Sequence, residues 1–97
     1  MNNSNSQALV VEGLYALLRG VKGGDVSVFA FCENFERLYN FELDRKSLSE
    51  KEKGAFADLF NKVVWFSPYP EEREAVPHYL SEAEILHSVE VTLTSLL

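Results

Sequence analysis

Apolar residues recur at helical spacing in four separate segments of this chain. From Ala8, the set Val11, Leu14, Tyr15 and Leu18, with Val10, Leu17 and Val21 alongside, predicts an amphipathic helix with a broad buried face. Gly20, Gly23 and Gly24 end it, and Arg19 and Lys22 in its last turn suit the helix dipole. The polar residues 1–7 ahead of it read as a frayed lead-in, with Ser4 or Ser6 as a cap. A second helix, capped by Asp25 or Ser27, carries Val28, Phe31, Cys32, Phe35, Leu38 and Tyr39 and gives out between Asn40 and Arg45. Its β-branched and aromatic start, Val26 to Phe31, also suits a strand. Ser49-Glu50-Lys51-Glu52 is a capping box, opening a third helix through Phe56, Leu59, Phe60, Val63 and Val64 to about Phe66. Trp65 falls off that stripe, and its large area favours burial. A second capping box, Ser81-Glu82-Ala83-Glu84, with Leu80 and Ile85 as a hydrophobic staple, opens the last helix. Its stripe is Ile85, Leu86, Val89, Leu93 and Leu96/Leu97.

Four amphipathic helices with no hairpin signal, repeat or dividing linker predict an all-α fold. The expected architecture is a single four-helix bundle over residues 1–97. Between the third and fourth helices lies the stretch from Phe66 to Tyr79, which holds all three prolines. Ser67-Pro68 and Tyr69-Pro70 push the backbone toward extended conformations that a helix does not cross. A long structureless connection is expected there, either a solvated crossover or a surface that meets a partner.

Composition sharpens this picture through the placement of charge. The 97 residues carry a net charge of −6. Residues 1–70 are nearly balanced, with nine acids and eight bases, whereas residues 71–97 hold six acids against Arg73 alone. The imbalance sits in the proline-rich connection and the last helix, which disfavours nucleic acid and points to a basic partner. A single cysteine, no apolar leader and no long apolar run fit a cytoplasmic protein with no membrane segment.

Candidate chemistry is sparse. Cys32 lies on an apolar face with no histidine near it in sequence, and reads as a small buried hydrophobe. His78 and His87 are not in a metal-ligand spacing, so neither a metal nor another cofactor is expected. The three glycines follow no strand and precede no Gly-Lys-Ser/Thr, so they make no phosphate loop. Glu71, Glu72 and Glu74 imitate an acid/base pair, but a small helical bundle seldom supplies the cleft such a pair needs. No nucleophile motif appears, and an enzyme is not expected.

The order of several short motifs resembles a known family. Val28-Phe29 to Phe35 is followed by Leu48-Ser49-Glu50 and by Asp58-Leu59-Phe60 with Val63. Then come Phe66-Ser67-Pro68-Tyr69-Pro70-Glu71-Glu72-Arg73, Tyr79-Leu80-Ser81-Glu82 and a final helix with Val89. From about Leu9 to Leu96 the chain resembles the colicin D immunity protein family, which includes immunity proteins of contact-dependent growth inhibition systems. The resemblance implies a four-helix bundle that binds and neutralises a cognate tRNA-cleaving toxin domain. Its acidic surface would imitate phosphates and occlude the toxin's basic active site, in a one-to-one complex of a monomer. On this reading Glu71, Glu72 and Glu74 are phosphate mimics, Asp58 and Glu82 border the same face, and Tyr69 and Tyr79 are packing anchors. The alternative is a small acidic adaptor that binds a basic segment of a host protein.

Overall fold

The computed structural model describes residues 3–97, with side chains from Ser6 onward. Its first helix, α1, runs from Asn3 to Gly23 and buries Leu14, Leu18 and Val21. It therefore begins ahead of the expected start. Ser6 lies inside the helix and does not cap it, and the side chain of Ser4 lies outside the described ones. The early turn has long-range partners. The Gln7 side chain donates to the Glu42 carbonyl at 3.1 Å and accepts from the Asp44 amide at 2.7 Å. At the far end the amides of Asp25 and Val26 both donate to the Gly20 carbonyl, and Gly24 takes φ +85°, a conformation glycine adopts without strain.

Helix α2, Val28–Arg37, settles the strand alternative: the Ser27 hydroxyl accepts from the Ala30 amide and starts a helix that buries Val28, Phe31, Cys32 and Phe35. The helical path gives out after Glu42, within the expected interval from Asn40 to Arg45, but not as a simple α-helical end. It widens into a π-helical turn over Leu38–Glu42, with the Leu43 amide donating to the Leu38 carbonyl at 2.8 Å. An Arg37–Glu42 ion pair at 2.6 Å and the Gln7 clamp hold this turn. It buries Tyr39, whose ring stacks on Phe35 and Phe60 at centroid distances of 5.8 and 4.7 Å. A short 3-10 turn, Arg45–Ser47, leads to α3, Glu50–Val63, which opens with the expected Ser49/Glu52 capping box and buries Phe56, Leu59 and Val63.

The expected structureless connection contains a further helix. Helix α4, Pro70–Ala75, has Pro70 in its first turn, where the missing N–H has no helical acceptor to lose. Helix α5, Glu82–Leu96, follows with the expected Ser81/Glu84 capping box and buries Ile85, Val89 and Thr92. Leu86 and Leu97, placed on its buried stripe by sequence, are exposed. Helix α3 packs along α5, and α1 packs against both α2 and α5. The described residues form an all-α fold with no strand, built on four longer helices and the short α4. Phe31, Phe35 and Phe56 are fully buried at its centre, each worth roughly 1.5–3 kcal/mol of apolar burial.

A second tie crosses the core. The Tyr15 hydroxyl on α1 donates to Glu52 Oε2 at 2.6 Å, while Oε1 of the same carboxylate accepts from the Ser49 amide at 2.9 Å. Burial, then this bond, then the Glu52 charge push the Tyr15 hydroxyl up to about 12. The hydrogen bond from Tyr15 in turn lowers the Glu52 carboxyl below its ordinary range. Both shifts favour one state, a protonated phenol on an ionised carboxylate.

Candidate functional site

The predicted site centres on the excursion between α3 and α5, and the backbone closes that excursion at its base. The Ser67 amide donates to the Leu80 carbonyl at 3.0 Å and the Leu80 amide donates to the Trp65 carbonyl at 2.8 Å, making one isolated parallel bridge between Phe66 and Leu80. Ser67 sits at the centre of the closure, only 2 % exposed. Its hydroxyl donates to Glu72 Oε1 at 2.5 Å and accepts from the Tyr69 amide at 3.2 Å. Its carbonyl accepts from Arg73 Nη1 at 2.7 Å. Helix α4 is too short to hold itself. Its Glu72 and Arg73 are instead buckled to one buried serine.

This arrangement divides the predicted acids. Glu72 is exposed but accepts from the Ser67 hydroxyl through Oε1, so that carboxylate also serves the fold. Glu71 and Glu74, three apart on α4, are exposed and have no hydrogen-bond or ion-pair partner among the described residues. Glu82, in the first turn of α5, is also exposed and unpaired among them, while Glu84 caps its own helix through Ser81. Those capping bonds, foremost the one from the Ser81 amide, hold the Glu84 carboxyl below the usual range. Glu90 stands 4.0 Å from Lys22, both well exposed.

The remaining predicted residues are spread. Tyr69 precedes α4 and is exposed. Tyr79 is half-buried against Trp65, with ring centroids 5.8 Å apart. Trp65, expected inside, is 44 % exposed, because α3 ends at Val63 and the indole lies over His78 and Tyr79 at the surface. Asp58 is exposed on α3 and lines a groove between α3 and α5 with Lys62, Glu84 and His87 on its walls. That groove holds about 450 Å³ over Leu59, Leu80 and Val91, a volume in the range of ligand clefts. Glu82 is not among its lining residues, so this groove does not bring Asp58 and Glu82 together.

Cys32 is buried as expected, and burial, with Glu36 nearby, pushes its thiol up to about 12. Among the described residues no three His, Cys, Asp or Glu side chains group to hold a metal, and no helix is long and apolar enough to cross a membrane.

Two further aromatics, given no surface role by the sequence pattern, are exposed. Phe29 is 52 % exposed and Phe41 83 % exposed. Phe29 does fall outside the apolar stripe of α2, which was a usable signal. Phe41 gave none, because its position depends on the π-helical turn. Comparison with protein-family models, curated proteins and solved structures returns no match for this chain.

Proposed function

We propose that this protein is an immunity protein, a cytoplasmic four-helix bundle that binds and neutralises a cognate tRNA-cleaving toxin domain. A nuclease that cuts tRNA offers Lys, Arg and His to phosphates, and an inhibitor can occupy that cleft with carboxylates held in place. The observation that carries the reading is the display of Glu71 and Glu74, exposed and unpaired among the described residues, on a helix fastened by Ser67 to Glu72 and Arg73. Fastening matters because ordering a loop on binding costs about 0.5–1.5 kcal/mol for each immobilised side chain. Tyr69, exposed beside these acids, supplies the packing anchor, and Glu82 extends the acidic surface onto α5.

The test is binding to the tRNase domain encoded directly upstream of this gene, at about 50 and about 300 mM salt, with tRNA cleavage followed in parallel. Tight binding that salt weakens and that stops cleavage supports the proposal. Glu71→Lys with Glu74→Lys is the decisive variant, since it leaves the Ser67–Glu72 bond in place and reverses only the displayed charge. Full protection by that double variant refutes the phosphate-mimic assignment. Tight binding without inhibition replaces it with the adaptor reading.

A further inference from the structure

The strongest unassigned feature lies on the α2–α3 side of the molecule, and none of its lining residues belongs to α4. Phe29 and Val64, 52 % and 42 % exposed, flank a notch of about 150 Å³ also lined by Cys32, Glu33, Glu36 and Pro68. The notch is well below the roughly 300–1,000 Å³ of small-molecule pockets, but equals about five liquid-water volumes of roughly 30 Å³ each, room for one protruding side chain. Past Glu33 and Glu36 the surface continues into an open hollow, lined also by Arg37, that ends at Asn40 and the largely exposed Phe41. Three large apolar side chains therefore border a shared pair of carboxylates, one helical turn apart on α2.

The carboxylates are the informative part. Neither Glu33 nor Glu36 has an ion-pair or hydrogen-bond partner among the described residues. The base nearest in sequence, Arg37, is committed to Glu42 at 2.6 Å and to Asn34 Oδ1 at 3.0 Å. Glu36 is half-buried, and burial, then the charge of Glu33, raises its carboxyl above the ordinary value. A partly desolvated acid beside a like charge, with no cation bonded to it, is an incompletely compensated arrangement. An incoming cation would correct it.

We infer that this face is a docking surface for a basic protein segment, which inserts an arginine side chain between Phe29 and Val64 and sets its guanidinium on Glu33 and Glu36. Arginine fits better than lysine on three counts. Its planar fork can bond two carboxylates, it is more weakly hydrated, and it packs on an aromatic face such as Phe29. Phe41 covers the adjoining part of the segment. The surface needs a basic partner of any identity, so it does not depend on that partner being a nuclease; a toxin domain would meet it as a contact additional to Glu71 and Glu74 of α4.

The probe is a short peptide with a single central arginine flanked by leucine and glycine, titrated into the ¹⁵N-labelled protein and followed by amide shifts. A second peptide carries citrulline in place of arginine. Shifts confined to Phe29, Glu33, Glu36, Val64 and the Phe41 turn, and lost with citrulline, are the expected result. Glu33→Gln with Glu36→Gln should weaken binding about tenfold without changing the fold, as two partly shielded ion pairs predict. Phe29→Ser, at an exposed site, should weaken it to a similar degree by removing the packing surface. Shifts centred on α4 and α5, or affinity untouched by the double glutamine variant, overturn the inference. The Glu71→Lys/Glu74→Lys variant, on which the immunity reading turns, should bind the arginine peptide normally, so the two proposals can fail separately.

Discussion

Replacing Ser67 by alanine tests whether the excursion carrying α4 is held by one hydroxyl. The substitution leaves three ties intact: the Ser67 amide to the Leu80 carbonyl, the Leu80 amide to the Trp65 carbonyl, and the Arg73 side chain to the Ser67 carbonyl. It deletes two others, the 2.5 Å bond to Glu72 and the 3.2 Å bond from the Tyr69 amide. A hydrogen bond to a charged group is worth about 1.5–3 kcal/mol, and a neutral one about 0.5–1.5. Glu72 is exposed and regains water when the hydroxyl goes, and the Tyr69 bond is long, so the low ends apply and the sum is about 2 kcal/mol. That energy belongs to the excursion and not to the helices packed around Phe56, because α4 buries none of its residues.

Native-state hydrogen exchange reads this directly. The amides of Arg73 and Val76, bonded to the carbonyls of Tyr69 and Glu72, should exchange about thirtyfold faster in the variant, the ratio that 2 kcal/mol implies. Amides of α1 and α3 should keep their rates. Unchanged exchange at Arg73 and Val76 would refute the clasp. Equal acceleration throughout the chain would show instead that the excursion opens only with the whole fold. On the proposed function, the same substitution removes no acid, yet it weakens toxin binding by leaving α4 to be ordered on contact.

Two further predictions concern the frame. Tyr15→Phe should cost about 1–2 kcal/mol near neutral pH, measured by urea unfolding, because it removes a charge-assisted bond and keeps the ring packed 5.5 Å from Phe56. The contribution of Tyr15, raised from 10.0 to about 12, is fully present below its unfolded value and lost as pH rises through the folded one. The lowered Glu52 acts oppositely, its contribution present above the ordinary carboxylate value and lost as pH falls through the folded value. The gap between the two proteins should therefore close at both extremes, and a gap independent of pH would refute the coupling. Gly54→Ala, in α3 with nothing within 4 Å of a new Cβ, should raise stability by about 0.8–1 kcal/mol, or roughly 4–8 °C in Tm. Gly20→Ala should do the reverse, since its Cβ would stand 2.8 Å from Val26 Cγ2 on a stiff β-branched side chain, and stabilisation by that change would be contrary to the packing.

The helices were legible in the sequence wherever their signals are local. Both capping boxes occur as Ser49/Glu52 and Ser81/Glu84, and the apolar spacing placed Leu14, Phe31, Phe35, Phe56 and Val89 in the core. The misreadings fall where distant residues decide. Gln7 holds residues 42 and 44, thirty-five and thirty-seven positions away, and no window on either segment contains that bond. Trp65 was assigned by its size, but its environment follows from where α3 stops and how residues 78 and 79 return. Pro70 was read as a helix breaker. It also marks a first helical position, and the glutamates after it favour a helix N-terminus.

The same distinction bears on the acidic surface. The charge excess of residues 71–97 is a property of composition and survives unchanged in the folded chain, but composition cannot tell an acid that serves the fold from one left to meet a partner. Hydrogen bonding distinguishes them: Glu72 goes to Ser67 and Glu84 to Ser81, while Glu71, Glu74 and Glu82 have no hydrogen-bond or ion-pair partner among the described residues. Glu33 and Glu36 show the converse, because they lie in the nearly balanced part of the sequence and yet lack any cation among the described residues. Arg37, the single base between residues 28 and 42, is spent on Glu42, five residues on, across the π-helical turn. A search for partner surfaces on this chain therefore has to follow unpaired charge beside exposed apolar area. By that criterion α2 is as strong a place to look as α4.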